Sequence, residues 1–195
     1  MENDAVKLSP LGDVVAVRPG YPFRGAIKEA PRGEMAVVQI KNADAERGVD
    51  WQALANTEPT GRKQPDWLQG GDVLFIARGN RNVAVYLNQV PGRAVCAPQF
   101  YLLRVKDDRV LPAYLAWYLN EFPAQRYFEQ SAEGSVVTSI RRQVLESLPL
   151  PIPDLQRQQL IVNLVDTARR EKQLTEQLIR NREQQLTLVA RGLIQ

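Results

Sequence analysis

The chain is predicted to adopt an α+β fold: a globular head with a small twisted, mostly antiparallel sheet and flanking helices, followed by one long C-terminal coiled-coil helix. Three observations carry this prediction. Short β-rich runs bounded by Gly and Pro turns fill the first hundred or so residues, and helical periodicity takes over after Pro112. From Leu155 to Arg191 neither Gly nor Pro interrupts the chain. The break falls at Pro149-Leu-Pro-Ile-Pro153, which reads as a rigid elbow, so the head is expected over residues 1–150 and the helical segment over 151–195.

Taken in order, Leu11–Val17 is a short β-rich run closed by the turn Pro19-Gly20, and Met35–Ile40 is a second strand. Residues 41–69 are polar and irregular, with Trp51 and Leu54 as anchors of a short helical turn. Gly70-Gly71-Asp72 is a turn that launches the apolar run Val73–Ala77, and Val83–Leu87 answers it. Together these predict a hairpin whose tip, Arg78-Gly-Asn-Arg-Asn82, carries two arginines and two asparagines. The segments around Cys96 and from Pro98 to Val105 read as further strands. Pro112 suits the first turn of a helix that runs through Tyr114, Leu115, Tyr118 and Leu119 and stops at Phe122-Pro123. A second helical piece carries Tyr127 and Phe128. The aromatic set Trp117, Tyr118, Phe122, Tyr127 and Phe128 recurs at helical spacing, which is the pattern of a core rather than of a base-stacking platform.

Asp154 is a good N-cap for the final helix. Within that helix Leu160, Leu164, Ala168, Leu174, Leu178, Leu186 and Val189 form a coiled-coil-like stripe, with Ile161, Val165 and Ile179 beside it. At ~1.5 Å per residue such a helix spans roughly 55 Å, too long to bury its stripe against a head of this size. A partner helix from a second copy is therefore expected, and these stripe residues are the candidate dimerisation set.

Composition narrows the chemistry. The chain has no histidine, so the commonest general base and the commonest metal ligand are both missing. Cys96 is the single cysteine, which excludes an internal disulfide and a cysteine zinc site. Neither a G-x-x-x-x-G-K-[ST] phosphate loop nor a G-x-G-x-x-G loop occurs, and Pro65-Asp66 is followed by no Glu-x-Lys of a metal-dependent nuclease core. A non-enzyme without bound cofactor or metal is expected. No apolar stretch approaches bilayer length, so a cytoplasmic protein with no membrane contact is expected. The net charge is only +3, but 19 of the 25 basic residues are Arg, the side chain suited to bidentate contacts with guanine and phosphate. A GC-rich coding sequence would produce the same bias.

The motifs and their order resemble the specificity (S) subunit of type I restriction–modification enzymes, in a half-length form with a single target-recognition domain. The matching pieces are Leu11-Gly-Asp-Val with Arg18-Pro-Gly20, then Gly71-Asp-Val-Leu-Phe-Ile-Ala-Arg-Gly79 and Pro98-Gln-Phe-Tyr-Leu-Leu-Arg104. They continue with Leu111-Pro-Ala-Tyr-Leu-Ala-Trp-Tyr-Leu-Asn120, Gly134-Ser135, Leu145 through Pro153, and Gln158-Gln-Leu-Ile161. The resemblance implies a DNA-recognition subunit that recruits adenine methyltransferase (M) subunits, with S-adenosylmethionine bound by those partners, and motor-nuclease (R) subunits for restriction. Such subunits usually carry two recognition domains and two antiparallel helices; this chain has one of each. Antiparallel pairing of two copies would place two heads at opposite ends of a rod, reading a gapped inverted repeat in double-stranded DNA. No Asp/Asn-Pro-Pro-Tyr/Phe methyltransferase motif is present.

Candidate DNA contacts are polar residues on expected loops of the head. Arg18, Tyr21 and Arg24 flank the Pro-Gly turn, and Arg78, Asn80, Arg81 and Asn82 form the hairpin tip. Ser135, Thr138, Arg141 and Arg142 suit a phosphate-holding loop, and Arg62 with Lys63 could serve either purpose. The competing expectation is a structural adaptor whose helix mediates assembly and whose head binds protein.

Overall fold

The computed structural model describes residues 6–59, 64–79, 81–131 and 138–193. In chain order the elements are β1 (Lys7–Pro10), α1 (Leu11–Val14), β2 (Val15–Pro19), β3 (Met35–Val38), β4 (Ala43–Asp44), β5 (Gly48–Val49) and β6 (Ala55–Thr57). There follow β7 (Val73–Ile76), β8 (Arg78–Gly79), β9 (Ala84–Tyr86), β10 (Ala94–Cys96) and β11 (Phe100–Val105). Helices α2 (Pro112–Asn120) and α3 (Phe122–Ser131), β12 (Thr138–Ser139), α4 (Arg142–Glu146), β13 (Pro149–Ile152) and α5 (Leu155–Gly192) complete the chain.

A four-stranded antiparallel sheet, β2-β11-β7-β9, is the centre of the head. It is apolar on both faces, which is why β7 reads as an unbroken run rather than an alternation. Val73 and Phe75 point to one cluster, with Val15, Val17, Leu103, Tyr114, Leu115 and Phe128. Leu74 and Ile76 point to a second, with Val85, Phe100, Leu102 and the residues of the three-stranded sheet β10-β3-β6. Helices therefore cover one face and a second small sheet covers the other. The expected mostly antiparallel arrangement holds; β10 and β3 are a parallel pair within it.

Two local expectations are corrected. Leu11–Val14 is a helical turn rather than strand, because Leu11 and Val14, three residues apart, both bury in the first cluster. The proline run expected as an elbow is strand β13, paired antiparallel with β1 so that Leu8 faces Pro151 and Lys7 faces Ile152. Proline is tolerated there because the sheet is only two strands wide. Of the aromatic set Phe128 is buried and Trp117, Tyr118 and Tyr127 are half-buried against the first cluster, the Tyr118 and Tyr127 hydroxyls donating to the carbonyls of Pro149 and Val144, both at 3.0 Å. The buried Tyr114 beside them donates to the Pro151 carbonyl at 2.9 Å. Phe122 is the exception and is exposed.

The Pro19-Gly20 turn needs glycine. A Cβ on Gly20 would lie 2.1 Å from the Ala97 carbonyl oxygen, since the Tyr21 amide must reach the Cys96 carbonyl at 2.8 Å. Asp154 caps α5 as expected, accepting from the Arg157 amide at 2.8 Å.

Candidate nucleic-acid interface

The hairpin β7–β9 forms as predicted, and the described residues on either side of its tip are tied into the fold. Arg78 and Gly79 pair with Ser139 and Thr138 in the short β8–β12 ladder. The Ile140 amide donates to the Ala77 carbonyl at 2.9 Å, and the amides of Ala77 and Arg78 both donate to the Gln99 carbonyl. The two segments singled out in the sequence, the hairpin tip and the chain leading to Arg141, are thus side by side. β2 and β7 flank β11 and run the same way, with Arg18 and Leu74 both opposite Leu102, so Arg18 and Arg78 emerge at the same end of the sheet.

Arg78 and Arg81 are exposed, and among the described residues neither pairs with a carboxylate. Arg24 is exposed beyond the turn, and Arg141 is exposed at the N-terminus of α4. Arg18 donates to Asp66 at 2.7 Å, and Arg142 donates to Glu146 at 2.7 Å. Both line one shallow depression together with Lys106, whose ammonium also donates to the Gly12 carbonyl at 2.9 Å. There two of the three cations are neutralised by carboxylates. Arg78 and Arg81, without a carboxylate partner among the described residues, keep their charge for a phosphate backbone.

Two candidates are corrected. Tyr21 is buried, its ring edge-on to Phe23 with centroids 4.8 Å apart, because the turn folds it into the second cluster. Asn82 is buried too, its amide donating to the Ile76 carbonyl at 2.9 Å, so it closes the hairpin instead of facing outward. Arg62, Lys63, Asn80 and Ser135 lie outside the described residues, and Thr138 lies on β12.

Two positioning residues escaped the sequence analysis. The Asn120 side chain clamps Ala84, accepting from its amide at 2.9 Å and donating to its carbonyl at 2.8 Å. Gln125 donates to the Asn82 carbonyl at 2.8 Å. The only sequence signal was a polar side chain ending an apolar helix. Lys106 was missed as well, since it reads as an ordinary strand-end cation.

Elsewhere polar groups are structural. Asp72, buried in the turn before β7, takes Arg104 on both oxygens at 2.7 and 2.8 Å and the Gln69 amide at 2.8 Å; the Asp72 hydrogen bond raises the Arg104 guanidinium above its ordinary value. Burial pushes the Cys96 thiol up to about 12, which removes it as a nucleophile at neutral pH. Among the described residues no helix is long and apolar enough to cross a membrane.

Residues 3–182 match the family described as type I restriction modification DNA specificity domain. The chain belongs to that family. The fold is also that of solved S subunits. The type I restriction-modification S subunit from M. genitalium superposes with a TM-score of 0.57 at 13% identity, over 94% of this chain and 45% of its own. A chain from a structure addressing complex assembly and conformational transition of the type I R-M system gives 0.67 at 16%, over 97% and 44%. The HsdS subunit from Thermoanaerobacter tengcongensis gives 0.60 at 19%, over 88% and 39%. The chain therefore spans less than half the length of these solved chains. No curated protein matches it.

Proposed function

We propose that this chain is the DNA-recognition part of a type I restriction–modification assembly: a non-catalytic specificity subunit whose head reads one short half-site of double-stranded DNA. The observation that carries this reading is the β8–β12 ladder, which puts the uncompensated Arg78 and Arg81 beside the Arg141 segment at one edge of the head, in a chain of the DNA-specificity family. Arginine at a hairpin tip suits guanine edges, and the neighbouring cations suit phosphates that set register. Methyl transfer to adenine, with S-adenosylmethionine, belongs to partner methyltransferase subunits, and cleavage to motor-nuclease subunits. The exposed leucines of α5 support a homodimer whose two heads read a gapped inverted repeat.

Retention of the pure chain on random and on genomic duplex DNA, with and without an added methyltransferase subunit, tests the reading. Salt-dependent retention is expected, sharpening to a gapped motif when the methyltransferase subunit is present. A head that holds no duplex at low salt, alone or with that subunit, would instead be a protein-binding adaptor.

A further inference from the structure

Helix α5 presents two different faces. Towards the head it turns Gln158, fully buried, then Ile161 and Val162 against the first cluster, and finally Lys172, which donates to Glu46, and Glu176, which pairs with Arg47. Beyond Glu176 every described residue of the helix is exposed. The other face carries Leu160, Leu164, Leu174, Leu178, Leu186, Val189 and Leu193, each 60% to 84% exposed. At about 100° per residue the centres of the two faces lie roughly 120° apart, so use of one leaves the other free.

Two charged residues, Glu171 and Arg182, sit in the middle of this apolar stripe. Some charges on the helix have partners, Arg169 with Asp166, Lys172 with Glu46 and Arg180 with Glu176, while among the described residues Arg170, Glu183 and Arg191 form no ion pair. Glu171 and Arg182 are exposed and, among the described residues, form no ion pair. A seam that set either of them against leucine would strand an unpaired charge among apolar side chains.

We infer that two copies of this chain pair through α5 in one antiparallel register, keyed by Glu171 of each copy against Arg182 of the other. The proposal rests on the homodimer reading above and adds its register. A two-fold axis that makes this match passes midway between Glu176 and Gln177, and symmetry supplies the ion pair twice. The same axis brings Leu164 level with Val189 and Leu160 level with Leu193, while Leu178 and Leu186 come level with Thr175 and Thr167. Sliding one helix by a turn of four residues sets Glu171 against Leu178 or Leu186. The head is compatible: its ion pairs with the helix end at Glu176, so each head backs its own half of the rod. The outer half of each helix, a short stretch marginal on its own, then lies on the free face of the other copy. The two Leu155 residues would stand roughly 65 Å apart along the rod, at ~1.5 Å per residue.

Sedimentation equilibrium of the full chain at low ionic strength tests this, using Glu171→Arg, Arg182→Glu and the double exchange, with helicity checked by circular dichroism. Each single variant should weaken dimerisation tenfold or more, because like charges then meet twice. The double exchange should return to within a few-fold of the unaltered chain. Single variants that dimerise as tightly as the unaltered chain, or a double exchange no better than the singles, overturn the register while the dimer stands. An unaltered chain that stays monomeric at every concentration overturns the dimer itself.

Discussion

Gln158 makes three hydrogen bonds from a site with no solvent access: its carbonyl oxygen accepts from the Leu111 amide at 2.8 Å, and its nitrogen donates to the carbonyls of Arg109 and Pro153, both at 2.7 Å. It sits one turn into α5 and ties the root of the helix to the loop that leads into α2. Gln158→Leu keeps the volume but orphans a buried amide and two carbonyls. An unsatisfied buried group costs about 1–3 kcal/mol, so a loss of roughly 2–4 kcal/mol is expected, read as a lower urea midpoint with the denaturant slope unchanged. A midpoint within error of the unaltered chain would mean that the root is not held by this side chain. The sequence contained this residue within a recognisable Gln158-Gln-Leu-Ile161 motif, but a glutamine in a Gln-rich helix carries no sign of burial. Only the crossing of three distant segments at its position does.

Among the elements, the β7–β9 hairpin was the most legible, because two apolar runs facing cores on both sides need no polar alternation and Gly70-Gly71 marks the turn that starts them. Gly71 takes a positive φ of 93°, open to glycine at no steric cost. What propensity could not supply was the tip. Asn82 turns inward, and the β8–β12 ladder joins segments about sixty residues apart. Arg78→Ala and Arg81→Ala belong to this scale. If these side chains read bases, each substitution should change sequence preference, at about 1–3 kcal/mol per bidentate contact. Equal weakening on all sequences, with a shallower salt dependence, would make them phosphate contacts only. The β1–β13 pair was missed for the same reason as the ladder: proline-rich residues 149–153 meet residues 7–10 from the far end of the chain, and a local reading sees only stiffness.

At the scale of the whole molecule, the head and rod are joined along one side. Ile161, Val162 and the Lys172 and Glu176 ion pairs hold α5 against the head, while the leucine stripe faces away. Those exposed ion pairs contribute little individually, so the apolar root and Gln158 are the main attachment. Leu164→Asp and Leu178→Asp should each convert a dimer to monomers in light scattering without loss of helical signal from the head-bound half. An unchanged mass would place the dimer contact elsewhere. The sequence by itself determined the α+β class, the hairpin, the capped start of the long helix and its apolar stripe, because each of these follows from periodicity and turn chemistry within a short window. Only the tertiary structure decided which side of the helix meets the head, that Tyr21 and Asn82 are interior, and that Arg78, Arg81 and the Arg141 segment share an edge. Those outcomes depend on contacts between residues remote in the chain, and the free energy of such contacts is set by what packs against them rather than by their neighbours in sequence.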